Sequence, residues 1–245
     1  MDKKRPILVQ GAMDVEINYL KETIINLEEI ELFGYKFYKG LYNNYPIIIS
    51  KTNIGLIQAA VATFIAITNF NPVAVINQGT AGANSKDIHN HDIVIGDECI
   101  NINSYITSHK EETQGSNPLE WELLTFKEGK DEFLTIKSDE RLCDIATKCS
   151  KQHVNGKIAV GRIGSGDMWD NEIDRIKWFN EKYNILCEDM ESISSYTVCN
   201  KFNIPVIGIR VISDNELTKE QYERTSAIEA QKYTLEICKK LIEGE

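Results

Sequence analysis

The chain has 245 residues, 42% of them apolar and 26% charged, with a formal net charge of −10. That balance supplies enough apolar material for a sizeable core. The acidic surplus repels phosphate backbones and anionic bilayers, so neither nucleic acid nor a membrane surface is expected as a partner.

No apolar run approaches the roughly 20 residues that a spanning helix needs. The basic start, Met1 to Pro6, leads into only Ile7, Leu8 and Val9 before Gln10. That run is too short for a secretory signal, and a cytoplasmic location is expected. The six cysteines form no CxxC pair, and several sit in apolar runs, as reduced, buried thiols do. His89 and His91 make an HxH pair, but no cysteine or acid has supporting spacing, so no metal is expected and no cofactor is implied.

Strand-like and helix-like segments alternate along the chain, which predicts one α/β domain over 1–245: three layers, α/β/α, with a central mixed sheet. Residues 6–13 read as a buried first strand. Residues 14–27 read as a helix, with Ile17, Leu20, Ile24 and Leu27 on one stripe. Residues 31–51 read as strands joined at Asn43-Asn44. The nearly uncharged segment 55–70 reads as a helix buried on most sides, partly in a subunit interface. Strands are expected at 72–78 and 91–102. The polar stretch 103–130 reads as a long loop of the kind that forms lids or binding elements. A helix at 138–152, a strand at 156–163, a helix at 172–183, a strand at 185–190, a helix at 192–202 and a last core strand at 205–213 follow. The closing helix is placed at 219–242, with Ile228, Leu235, Cys238 and Ile242 at helical spacing.

Open α/β sheets bind ligands at the carboxyl ends of their strands. The residues at those exits are Gly11 to Glu16, Gln78 to Ala83, Gly164 to Trp169, Glu188 to Glu191, and Ser213 to Asn215. Small residues, acids and one tryptophan therefore gather at the ligand end. Asp14 and Asp214 also fit as helix caps, and Glu16 and Glu191 as complements to helix dipoles. Glu16, however, falls on the flank of the apolar stripe, and Glu191 separates an apolar strand from an uncharged helix, where an acid needs a partner or a purpose. The Gly79-Thr80-Ala81-Gly82 segment lacks the lysine of a P-loop and reads as a tight turn. Trp169, near a glycine-rich loop, suits stacking on a planar base.

In this order the exits resemble those of the nucleoside phosphorylase superfamily, and within it the 5′-methylthioadenosine/S-adenosylhomocysteine nucleosidases. The resemblance runs from Ile7 to about Leu241. It is carried by Gly11-Ala12-Met13-Asp14-Val15-Glu16, Asn77-Gln78-Gly79-Thr80-Ala81-Gly82, Asp189-Met190-Glu191 and Ile212-Ser213-Asp214. It implies a hydrolase that cuts the bond between adenine and ribose, and a homodimer. It implies that Glu16 activates water, that Met190 and Glu191 clamp the ribose, and that Asp214, steadied by Ser213, protonates purine N7. Thr80 matches a hydroxyl residue near ribose and base, and Gly82 belongs to the same motif. Trp169 matches a stacking aromatic, and the Asp170 backbone would meet the base edge. Ala83 stands where the family has glycine, Trp169 where phenylalanine is usual, and Asp170 where an apolar residue is usual. Tyr222, and Tyr105 from the long loop, are the expected residues of the 5′-substituent pocket.

The chemistry is coherent without the resemblance. Adenine leaves readily only when protonated, and the ribose left behind carries positive charge that a carboxylate can offset. A phosphorylase on the same fold is the runner-up. It would need arginines at the first and third strand exits, and none stands there. A non-catalytic binding protein that kept the fold is the third reading.

Overall fold

The computed structural model describes residues 4–124, 127–128, 131–132 and 135–244. The chain begins with β1 (Ile7–Gly11), buried throughout. The helix expected at 14–27 is shorter. A 3-10 turn covers Asp14–Glu16, α1 spans Asn18–Thr23, and β2 (Ile25–Leu32) follows at once. Ile17, Leu20 and Ile24 do bury on one stripe. From Ile25 onward, antiparallel pairing with β3 (Tyr35–Tyr42) takes the chain, and the β-branched Ile24-Ile25 pair suits strand better than helix. Asn43 and Asn44 form the two-residue hairpin turn to β4 (Tyr45–Lys51), both at positive φ (48° and 58°).

Helix α2 (Leu56–Phe70) leads to β5 (Ala74–Ala83), which runs five residues past its predicted end. Segment 79–82 is therefore strand and not the expected tight turn. Its backbone is claimed on one side by β14 (Val206–Asp214) and at its end by β13 (Ile185–Asp189). Between these lie β6 (Ile93–Asn101), two short antiparallel pairs (β7, Tyr105–Ile106, with β8, Glu122–Leu123; β9, Lys127–Glu128, with β10, Asp131–Glu132) and β11 (Thr135–Lys137). Of the predicted loop, 125–126 and 129–130 lie outside the described residues. Helix α3 (Glu140–Lys148), capped by Asp139, precedes β12 (Ile158–Ser165). Helices α4 (Ile173–Tyr183), α5 (Ser192–Phe202) and α6 (Ala227–Glu243) complete the order.

The sheet is mixed, in the order β11-β6-β12-β13-β5-β1-β4-β3-β2, with β14 bridging β5 and β6. Five strands thus close a ring: β5, β14, β6, β12, β13 and back to β5. One apolar cluster packs α1, α3 and α6 on one face of the sheet, and a second packs α2 and α5 on the other. Among the described residues no helix is long and apolar enough to cross a membrane.

The burial expected for α2 is one-sided. Ala59, Ala62, Ile65 and Ala66 are buried, while Ile57 (74% exposed), Val61, Phe64 and the neighbouring Phe202 form an open apolar stripe.

Candidate active site

The carboxyl ends of β1, β5, β12, β13 and β14 surround a cleft of about 790 Å³ including its mouth, a size that suits a small ligand. Ten residues named from the sequence line it: Glu16, Thr80, Gly82, Trp169, Asp170, Met190, Glu191, Ser213, Asp214 and Tyr222. Tyr105 does not. Its hydroxyl accepts from Arg175 Nη2 at 2.7 Å, and its ring meets Trp121.

The first exit bends sharply, and Glu16 folds back under its own loop. Its Oε2 accepts from the Ala12 and Met13 amides at 2.8 and 3.1 Å, and its Oε1 from the Thr80 amide and hydroxyl at 2.8 and 3.1 Å. Four donors hold this carboxylate at 3% exposure, beside Gly79. Any side chain at Gly79 would strike it, because a Cβ there would lie 2.5 Å from Oε1. Asp14, the other acid of this exit, turns outward to Lys51 at 2.8 Å.

Glu191 stands at the start of α5 and accepts from the Gly55 amide at 3.0 Å. Gly55 sits at φ 104°, which a side chain would strain, and so aims its N–H at the carboxyl. Burial, then the negative charges of Asp189 and Glu16, push Glu191 up to about 8. The turn carrying Met190 and Glu191 rests on a buried ion pair, Asp189 Oδ2 to Arg210 Nε at 2.7 Å. Asp189 Oδ1 accepts from the amides of Glu191 and Ser192. Burial alone would raise the Asp189 carboxyl, but Arg210 and the serine hydrogen bonds outweigh it and hold it below its ordinary value. Arg210 also donates to the Asn77 backbone and to Ser192, which commits it inside the sheet.

Asp214 closes β14. Ser213 Oγ donates to its Oδ1 at 2.6 Å, and a Cβ on Gly82 would come within 3.1 Å of its Oδ2. Burial raises the Asp214 carboxyl, with the Ser213 hydrogen bond opposing it. Glu16 and Asp214 are thus both held against residues 79–82 of β5, a span of about 10 Å at strand rise. The small residues of that stretch leave the space the cleft needs. The Tyr222 phenol is raised by burial and then by the charges of Glu16 and Asp214 together, so all three groups face one space.

Trp169 (61% exposed) and Tyr222 meet edge to face at 5.4 Å at the mouth. Tyr222 was expected inside the closing helix. It lies in the segment before a 3-10 turn at Arg224–Ser226, because Glu220 bridges Asn215 and the Glu223 amide donates to Ser213 O at 2.7 Å, tying the segment to β14.

Among the polar lining side chains given no role from the sequence are Asn84, Glu188, Glu216 and the carboxyl of Asp170. A charged residue inside the apolar strand Ile185–Asp189 was the available signal for Glu188. His91 binds Glu229 and Glu223, and His89 binds Glu220, away from the cleft. Among the described residues no group of three or more His, Cys, Asp or Glu is placed to hold a metal ion.

The sequence profile of the phosphorylase superfamily matches residues 6–243. The chain belongs to the phosphorylase superfamily. Within it, the matched relatives are nucleosidases. A 5′-methylthioadenosine/S-adenosylhomocysteine nucleosidase of Geobacillus sp. is 30% identical, over 96% of this chain and 98% of its own. The crystal structure of the Helicobacter pylori nucleosidase of that name, with butyl-thio-DADMe-Immucillin-A, superposes with a TM-score of 0.80 at 25% identity, over 96% of this chain and 98% of that one. The futalosine hydrolase of Helicobacter pylori is similar too, with a TM-score of 0.79 at 26% identity and the same coverage. This superfamily member is an enzyme, a glycosidic hydrolase of nucleosides.

Proposed function

We propose that the enzyme hydrolyses adenine nucleosides of the 5′-methylthioadenosine and S-adenosylhomocysteine type to adenine and the 5′-substituted ribose. Asp214 is the acid that protonates purine N7. Burial raises its affinity for a proton, which is the direction a proton donor needs. Glu16, held by four donors, is the base that orients and deprotonates the attacking water, and its charge offsets the positive ribose in the transition state. Glu191 and Met190 clamp the ribose, with Thr80 beside it. Trp169 stacks on the base over Gly82, the Asp170 backbone meets its edge, and Tyr222 borders the 5′ substituent. The nucleoside class is supported by the substrates for which the relatives are named.

The observation that carries this reading is the convergence of Glu16, Glu191 and Asp214 on one cleft whose lining, among the described residues, holds seven acidic residues and no lysine or arginine. Phosphate would find no cation there, and the buried Arg210 is already paired with Asp189. Water is therefore the nucleophile. The apolar stripe on α2, continuous with the cleft through Ile54, supports a homodimer. A cytoplasmic location completes the reading.

The test is adenine release from a panel of nucleosides with and without phosphate, for the wild type and Asp214→Asn. Equal rates in both buffers are expected, with Asp214→Asn losing at least about 100-fold in kcat while its fold survives. An absolute phosphate requirement would end the hydrolase reading, and unchanged turnover in Asp214→Asn would remove that residue from the mechanism.

A further inference from the structure

The inner end of the cleft carries polar groups that the mechanism above does not use. In the sheet, Gly82 pairs with Asp214 on β14 and with Glu188 on β13. Residues directly opposite in register share a face, and adjacent strands lie about 4.8 Å apart. Asp214 and Glu188 therefore flank a residue without a side chain, with their backbones about 10 Å apart across it. A purine lying over Gly82 with N7 at Asp214 extends its six-membered ring toward Glu188.

Asn84, two residues beyond Gly82 and 1% exposed, lines the same end. Its Nδ2 donates to Glu188 Oε1, while its Oδ1 is buried with no partner. That buried oxygen is therefore free to accept from a donor on a bound molecule. Arg175, the nearby cation, is engaged elsewhere. Its Nε lies 3.1 Å from Asp170 Oδ2, and its Nη2 donates to Tyr105.

We propose that Glu188 and Asn84 read the six-membered ring of the base and that Glu188 sets which purine the enzyme releases. The proposal rests on the purine nucleosidase reading and adds its base selectivity. A neutral Glu188 carboxyl donates to N1 of adenine, and Asn84 Oδ1 takes a proton of the 6-amino group. An ionised Glu188 repels the N1 lone pair and accepts the N1–H of a 6-oxopurine instead. Both forms are accessible near neutrality. Burial first, then the charges of Asp170 and Asp189, raise Glu188 to about 7 against the Asn84 hydrogen bond and the Arg175 charge. Tyr105, facing it from β7, is itself raised to about 12 and stays neutral. Asp214 stands across Gly82, and Glu16, Glu191 and Glu216 line the rest of the cleft.

The experiment measures kcat/KM for adenosine and inosine from pH 6 to 8, in the wild type and in Glu188→Gln. Taking the ratio cancels groups that act on both substrates, Asp214 and Glu191 included. In the wild type the adenosine-to-inosine ratio falls at least about tenfold over that range, as the neutral fraction of Glu188 does. In Glu188→Gln, which cannot ionise, the ratio is flat. A wild-type ratio independent of pH, undetectable inosine cleavage at pH 8, or an equal fall in Glu188→Gln overturns the base-reading role while leaving the nucleosidase intact. The wild-type ratio decides even if the variant fails to fold. Failure to release any purine at any pH would instead refute the nucleosidase reading, and this proposal with it.

Discussion

Replacing Gly79 by alanine tests the central geometry without removing any functional group. The new methyl would lie 2.5 Å from Glu16 Oε1 and 2.9 Å from its Cδ, where ordinary contact begins near 3.4 Å. Glu16 must retreat by about 0.9 Å. It has no slack, because Oε1 is held by the Thr80 amide and hydroxyl and Oε2 by the Ala12 and Met13 amides. The retreat stretches both Thr80 bonds, and since hydrogen bonds to a charged group are worth about 1.5–3 kcal/mol each, a loss of about 2 kcal/mol of stability is expected. That lowers the melting temperature by about 6 °C. A reacting group displaced by about 1 Å costs about 100-fold, so kcat for adenine release should fall by that factor with KM little changed. Melting curves and initial rates on 5′-methylthioadenosine read both quantities. A Gly79→Ala enzyme within about threefold of wild-type kcat would mean that the position of Glu16 does not limit the reaction, and the assignment of Glu16 as base would fall.

Glu191→Gln should lose activity yet gain stability at alkaline pH. The folded protein holds the Glu191 proton up to about 8, against an ordinary value of 4.5, so this stability is present below 4.5 and is lost as pH rises toward 8. The glutamine variant should therefore melt about 10 °C above wild type at pH 8, with little advantage at pH 5, and equal shifts at the two pH values would contradict the buried-acid account. On the α2 stripe, Ile57→Glu should convert a dimer of this chain to monomer by burying an unpaired charge, measured by light scattering. A wild type that already runs as a monomer removes the interface.

The sequence carried the elements that bury a face and the acids that follow them. Apolar stripes placed α2, α3, α4 and α5 to within a few residues, because burying a stripe is a local demand that periodicity records. Small residues and acids at strand exits marked Glu16, Thr80, Gly82, Glu191 and Asp214, since a ligand site needs both room and charge where the backbone ends. What the tertiary structure alone decided was which strands meet. The ring closed by β13 against β5 turned the expected turn at 79–82 into strand, and it set Glu188 and Asp214 on either side of Gly82. The same long-range pairing buried Arg210 against Asp189, 21 residues away in the chain, and the ties of Glu220 and Glu223 to β14 kept Tyr222 out of the closing helix and in the cleft. Such pairings join residues that share no local pattern. Hydrophobic spacing reports which face of an element is buried, and not which partner buries it.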